Sequence, residues 1–137
     1  MLDTRTKIVI LVFVPNRSAE TLVAKLRENV AAGSIIWSDL WRGYAGLEQA
    51  GFTHQTVNHS LNFVNPETGV HTQAIEAAWS RVKKFLRRKD VMTVPEDRKA
   101  SYLDEYMWRQ FYENKKNAGE TFYFLLRHLA EWEEYGF

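Results

Sequence analysis

Apolar segments of strand and helix character alternate along the first part of the chain. Lys7 to Val14 is a nearly continuous apolar run rich in β-branched residues, which predicts a strand buried on both faces. Ser18 is placed to cap a helix that continues to about Ala31. The segment SIIWSD then predicts a second strand that ends at Asp39. A strand, a helix and a strand joined by short connections predict a crossover unit in a parallel sheet.

Weaker patterns of the same kind continue through the rest of the chain. The expected elements are a short helix at 40–50, a third strand at 52–57, a loop at 58–70 and helices at about 71–88, 99–114 and 119–135. Apolar residues of the last two helices recur at helical intervals, so we expect these helices to cover the sheet. The layout predicts an α/β fold with a partial sheet and a helical C-terminal half.

The helix expected at 71–88, HTQAIEAAWSRVKKFLRR, is strongly amphipathic. Its polar stripe holds Gln73, Glu76, Ser80, Lys83 and Arg87, and its apolar stripe holds Ile75, Trp79, Val82 and Leu86. We therefore expect the Glu76 carboxylate to face away from the core. It either supports the helix through ion pairs, worth roughly 0.2–0.5 kcal/mol each, or takes part in chemistry with groups elsewhere in the chain.

Composition and charge limit the classes of protein to which this chain could belong. A chain of 137 residues, 45% of them hydrophobic, predicts one domain with a real core. The absence of Cys excludes disulfides, thiolate metal sites and cysteine nucleophiles. The apolar run at 8–14 lacks the cleavage site of a signal peptide, and no run reaches the length of a membrane span. We expect an intracellular protein without a membrane partner, nuclear in a eukaryote and cytoplasmic in a bacterium.

Charge is spread unevenly although the net charge is only +1. The segment RVKKFLRRK at 81–89 holds six cations and no anion. Its exposed members are expected to be Lys83, Lys84, Arg87 and Arg88. They form either a solvated face or a surface for the phosphates of DNA. Arg42 is a further candidate for a phosphate contact, whereas its neighbours Trp41 and Tyr44 are expected to pack.

Two carboxylates are candidates for a shared site. Asp39 follows a strand, and functional groups gather beyond the carboxyl ends of strands in open α/β sheets. The alternative for Asp39 is a turn or a helix cap. Residues 40–75, thirty-six in number, separate it from Glu76. If the two side chains converge, their oxygens suit Mg²⁺ or Mn²⁺, and two such ions could support phosphodiester cleavage.

His59 and His71 are candidate metal ligands or an acid–base pair, although the interpretation as loop hydrogen-bonders is preferred.

Several long segments of the chain resemble a known family. They are VPNRSAETL, GSIIWSDLWRGY, GFTHQTVNHSLNFVNPETGVHTQAIEAAWSRVKKFLRR and SYLDEYMWRQF. These segments resemble the transposase domain of the Merlin superfamily and its bacterial insertion-sequence relatives, which are DDE transposases of ribonuclease H-like (integrase/transposase-type) fold. The resemblance implies that Asp39 is the second acidic residue of the catalytic triad and that Glu76 is the third. Gln73 stands where the family commonly has Asn.

The same resemblance carries expectations for the whole chain. We expect residues 1–137 to be one DDE transposase-like domain that lacks the N-terminal strand with the first catalytic Asp, since Asp3 does not match that position. The implied function is DNA strand cleavage and transfer in transposition, with transposon-end DNA held mainly by its backbone. We expect this activity to be impaired, because the first acidic ligand is missing. The alternative is a catalytically inactive transposon-derived module that binds DNA or protein. A missing strand would also expose a sheet edge and favour a homodimer.

Overall fold

Four α-helices and a two-stranded sheet make up the part of the chain that the structure, a computed structural model, describes: residues 1–58, 61, 64–113 and 117–135. The elements in chain order are α1 (Ala19–Asn29), β1 (Ile35–Asp39), β2 (Thr53–Val57), α2 (Gln73–Arg88), α3 (Glu96–Tyr112) and α4 (Ala118–Tyr135). Single 3₁₀ turns lie at Arg42–Tyr44 and Val91–Thr93. The chain is therefore mixed α/β, with its helices concentrated in the second half as predicted.

The helices lie close to where the sequence predicts them. α1 begins directly after Ser18, whose Oγ accepts a hydrogen bond from the Thr21 N–H at 3.2 Å and so caps the helix. α2, α3 and α4 begin within three residues of the positions expected from periodicity. Among the described residues, no helix combines the length and the apolar character that a membrane crossing needs.

The sheet consists of β1 and β2, which run parallel. Ile35 lies opposite Thr53 at one end of the pair, and Asp39 lies opposite Val57 at the other. Two of the three predicted strands are thus confirmed. β1 and β2 are connected through the 3₁₀ turn at Arg42–Tyr44. The crossover predicted through α1, from residues 7–14 to β1, does not form, because the described sheet contains only β1 and β2.

The prediction of a strand at 7–14 is wrong. Within the described residues this segment forms only one antiparallel bridge, between Leu2 and Val9, and Lys7 has a left-handed φ of 63°. Val9 and Leu11 are buried, whereas Phe13 is 43% exposed. The segment lies with one face on α2 and α3 and has no neighbouring strand, so burial on both faces does not occur.

The helix predicted at 40–50 is also wrong. Only the 3₁₀ turn at Arg42–Tyr44 forms, and the chain continues in turns to Gly51. Gly46 has a φ of 98°, a left-handed conformation that ends any helical path. Leu47 and Phe52 are nevertheless buried, so this irregular segment contributes apolar side chains to the interior.

The main hydrophobic cluster joins the N-terminal segment to two helices. It contains Val9, Leu11, Ala78, Val82 and Tyr106, packed against partly buried side chains that include Phe85 and Met107. Because the buried line of α2 runs through Ala78 and Val82, Trp79 is turned outward and is 46% exposed, contrary to its predicted place in the buried stripe. α3 thus packs on α2, and the expectation that the last two helices cover the sheet is wrong for the described contacts.

α4 packs against α3 through aromatic rings. The Trp108 Nε1–H donates to His128 Nδ1 at 3.0 Å, and the rings of Tyr112 and Phe124 lie 5.2 Å apart. A groove of about 760 Å³ remains between the two helices. Three apolar side chains of α4 that line this groove, and Leu126 next to them on the helix, are 40–60% exposed: Phe122, Leu125, Leu126 and Leu129.

Candidate functional site

Asp39 ends β1 on the exposed face of the strand. Side chains alternate along a strand, so Trp37 and Asp39 share one face while Ser38 is buried on the other. The Asp39 Oδ1 accepts a hydrogen bond from the Trp41 N–H at 3.1 Å, which forms a tight turn directly after the strand. The turn role that the sequence offered as an alternative is thus present. No hydrogen bond to a described group involves the second oxygen of this carboxylate.

An aromatic and cationic cluster packs beside the Asp39 turn. The Arg17 guanidinium lies 4.6 Å from the centre of the Trp41 ring, and the Trp41 and Tyr44 rings meet edge to face at 5.4 Å. Gly43 is buried beneath the indole, where a Cβ would lie 2.0 Å from Trp41 Cζ3. Burial, and then the charge of Asp39, raise the pKa of the Tyr44 hydroxyl, while Arg17 opposes the shift.

Arg42 is exposed within this turn, as a phosphate contact would require. Trp41 and Tyr44 pack against each other, in line with the expectation that the aromatic neighbours of Arg42 serve packing.

Glu76 lies in the first turn of α2 with an exposed side chain. Thr72, which directly precedes the helix, is only 7% exposed. Its Oγ1–H donates to Glu76 Oε1 at 2.6 Å, and its carbonyl oxygen accepts the Glu76 N–H at 3.0 Å. Two hydrogen bonds from one buried residue therefore hold both the backbone and the carboxylate of Glu76.

A ring contact connects the beginning of α2 with the strand that carries Asp39. The His71 and Trp37 rings lie 5.8 Å apart, and Trp37 Nε1–H donates to Gln55 Oε1 on the neighbouring strand at 2.9 Å. Trp37 and Asp39 share a strand face, so the chain enters α2 next to the face on which Asp39 lies. The two candidate carboxylates are thus held by adjoining segments.

The supporting residues predicted from sequence have different surroundings. His71 Nδ1 is buried and has no hydrogen-bond partner among the described groups, so His71 contacts Trp37 as a ring and does not bond the loop through that atom. Gln73 is exposed at the first position of α2. His59 lies outside the described residues. Sequence reasoning missed Thr72, although its position four residues before Glu76 at a helix start could have indicated the contact.

Four cationic side chains extend from α2 into solvent. All four are exposed, and none forms an ion pair with a described carboxylate: Lys83, Lys84, Arg87 and Arg88. The next cation, Lys89, is different, because its Nζ lies 3.1 Å from Glu105 Oε1 on α3. The six cations of the basic run are all exposed, and they divide into these four together with Arg81, and Lys89, which joins two helices.

Comparisons with known proteins identify the family of this chain. The ISXO2-like transposase domain matches residues 1–110. The chain belongs to this transposase family. An uncharacterized transposase-like protein of Haemophilus influenzae is 33% identical to it over 101 residues, which are 74% of this chain and 79% of the relative. None of the solved structures matches the chain significantly.

Membership of the ISXO2-like transposase domain family confirms the resemblance to insertion-sequence transposases and supports a role in transposition. The matched region contains Asp39, Glu76 and the whole of α2, and it ends within α3. α4 therefore lies outside the part of the chain that the family shares.

The donor atoms of this transposase domain suit a hard divalent cation. Asp39 and Glu76 are both exposed, and carboxylate oxygens are ligands that Mg²⁺ and Mn²⁺ prefer. Across residues 1–58, 61, 64–113 and 117–135, no group of three or more His, Asp or Glu side chains could hold a metal ion. The described residues thus offer two carboxylates to a metal ion, and water and substrate oxygens would have to supply its further ligands.

Proposed function

We propose that this domain acts in DNA strand cleavage and transfer during transposition, with Asp39 and Glu76 as ligands of Mg²⁺ or Mn²⁺. The observation that carries the proposal is the contact between His71 and Trp37, which brings the entry to α2 beside the strand face of Asp39. We also propose a ribonuclease H-like fold, of which β1 and β2 are the parallel strands next to the site.

The two carboxylates would hold the cations. Asp39 is oriented by its turn with Trp41, and Glu76 is oriented by Thr72. When bound, the ions supply activation of the attacking oxygen and stabilisation of the leaving oxygen in phosphodiester chemistry. Asp3 is not proposed as a ligand; its two oxygens accept hydrogen bonds from the Arg5 N–H and the Thr6 hydroxyl within its own turn.

The cations of α2 would position the DNA. Lys83 and Arg87 follow Glu76 by seven and eleven residues, which places them on the same side of the helix at about 10 and 16 Å along its axis. A DNA backbone crossing this side would meet unpaired cations on its way to the carboxylates. Contacts of this kind neutralise phosphates and hold the duplex, but they do not read its sequence.

Manganese binding tests the proposed pair. We expect calorimetry to show saturable Mn²⁺ binding by the wild-type chain, and Asp39→Asn or Glu76→Gln to abolish it, because each removes a ligand charge with little change of shape. Glu96→Gln is the matched control, since Glu96 also lies in the first turn of a helix, α3.

Either result of this titration decides the metal proposal. Binding by the wild type and by Glu96→Gln, but not by Asp39→Asn or Glu76→Gln, supports a shared site for the two carboxylates. Negligible binding by all four proteins contradicts the metal site and leaves the alternative, a non-catalytic module that binds DNA or protein.

A further inference from the structure

We propose that Thr72 is a positioning residue for Glu76, which orients this carboxylate for the metal. The inference rests on the proposed function, because it concerns the same site, and it names a residue whose role is to prepare a ligand. Its basis is the geometry at the start of α2.

Thr72 occupies the N-cap position of α2 and does not cap it. Threonine at this position ordinarily accepts a hydrogen bond from a free N–H of the first turn, as the Ser18 hydroxyl does for Thr21 at α1. At α2 no such capping bond is present. The Thr72 hydroxyl donates instead to Glu76 Oε1 at 2.6 Å. The contact lies in the range of charge-assisted bonds between a hydroxyl and a carboxylate.

Burial of Thr72 restricts the position of its hydroxyl donor. Thr72 is 7% exposed, between the fully buried Val70 and the first turn of the helix, so its side chain has little freedom to turn. Glu76 is exposed, and a long exposed side chain loses conformational freedom when one of its oxygens is bonded to a buried group. Holding Oε1 restricts the direction of Oε2 and leaves the carboxylate with a preferred orientation before any ion arrives. Partners of this kind typically change metal affinity by about 10- to 100-fold.

Two substitutions separate positioning from a packing role. Thr72→Val keeps the shape of the side chain and removes its hydroxyl, whereas Thr72→Ser keeps the hydroxyl. We expect Thr72→Val to weaken Mn²⁺ binding at least about 10-fold in calorimetry. Thr72→Ser should restore affinity to within about threefold of wild type. A residue that only packs would give the opposite order, since Val fills the site better than Ser.

The pair Thr72→Val and Glu76→Gln tests whether the effect passes through Glu76. Because Glu76→Gln alone is expected to abolish binding, we expect no Mn²⁺-induced relaxation of the Asp39 amide by NMR in Glu76→Gln, with or without Thr72→Val. Residual relaxation in Glu76→Gln that Thr72→Val lowers further would show that the effect of Thr72 does not pass through Glu76. Circular dichroism of each variant establishes that α2 is folded under the conditions of the titration.

The outcomes distinguish this inference from the proposed function. Wild-type binding that depends on Glu76 but is equal in Thr72→Val overturns the positioning role and leaves the metal site standing. Absence of Glu76-dependent binding in the wild type overturns the proposed metal site, and the positioning role with it. Weaker binding in Thr72→Val with recovery in Thr72→Ser supports both.

Discussion

Individual carboxylates in this protein differ in what their oxygens contact. Glu76 accepts from a neutral hydroxyl, whereas Glu105 accepts from two cations, Lys89 at 3.1 Å and Arg109 at 2.9 Å. Partial burial acts to raise the pKa of Glu105, but the hydrogen bonds and charges of Arg109 and Lys89 outweigh it and lower the pKa below its ordinary value. Glu105 is therefore a stabilising anion between the end of α2 and the middle of α3.

The lowered pKa of Glu105 predicts a loss of stability in acid. A carboxyl whose pKa is lower in the folded protein stabilises the fold above its unfolded pKa and loses this contribution as pH falls through its folded pKa. We expect Glu105→Gln to reduce the free energy of unfolding by about 1 kcal/mol or less at pH 7. The difference from wild type should shrink below about pH 4.

Urea denaturation between pH 3 and pH 7 measures this effect. Glu48→Gln serves as control, because Glu48 is exposed and forms no ion pair with a described residue. A difference between Glu105→Gln and wild type that stays constant across this range would show that the ion pairs do not stabilise the fold.

At the scale of elements, the solvent face of α2 is the surface on which DNA binding depends. We expect Lys83→Gln combined with Arg87→Gln to weaken binding of duplexes of unrelated sequence alike. It should also reduce the slope of log K against log salt concentration by about 2, because two phosphate contacts are lost. Fluorescence anisotropy at several salt concentrations gives the slope.

The matched control for this face is Lys25→Gln on α1. Lys25 is a helical cation like the others, but its Nζ lies 2.7 Å from Glu28 and is already neutralised. The control removes one cation and the double variant two, so a slope that falls about half as much in the control would mean that overall charge, and not the α2 face, determines binding.

The elements that could be predicted from the sequence are those in which local pattern and tertiary contacts agree. α2 carries its buried line, Ala78 and Val82, at helical spacing, so periodicity finds it. Residues 7–14 have the composition of a buried strand, but a strand needs a partner, and this segment packs on helices instead. Residues 40–50 have an apolar pattern that Gly46 interrupts with its left-handed backbone.

In the candidate site, too, contacts between residues close in the sequence can be predicted, and contacts between distant residues cannot. Asp39 and Glu76 lie in segments that resemble the transposase family, so the sequence indicates both. The bond from Thr72 to Glu76 spans only four residues, a spacing that a helix start makes predictable. The contact of Trp37 with His71 joins residues far apart in the chain. No periodicity or local spacing predicts such a contact, because it depends on how the segment that precedes α2 lies against β1.

At the scale of the whole molecule, α4 presents an apolar face outside the region that the family shares. Phe122, Leu125, Leu126 and Leu129 are spaced at the intervals that place side chains on one side of a helix, and all are at least 40% exposed. A second copy of the same face could bury these side chains about a twofold axis. We therefore propose that the predicted homodimer forms through α4 and not through a sheet edge.

Sedimentation velocity over a range of protein concentrations tests this pairing. We expect the wild type to shift towards a dimer as concentration rises, and Leu126→Glu combined with Leu129→Glu to stay monomeric with an unchanged far-ultraviolet spectrum. Met92→Glu is the control, since Met92 is 83% exposed and lies outside α4. If the Leu126 and Leu129 variant associates as the wild type does, another surface mediates the dimer.

The two candidate ligands stand on differently packed parts of the molecule. Glu76 belongs to the helix that supplies Ala78 and Val82 to the hydrophobic cluster, whereas no residue of the Asp39 strand is a member of that cluster. An ion held by both carboxylates would therefore work as a cross-link between sheet and helices. Binding to the folded state alone adds stability that grows with the logarithm of ion concentration, so the cellular supply of the ion would help to set how firmly the domain holds together.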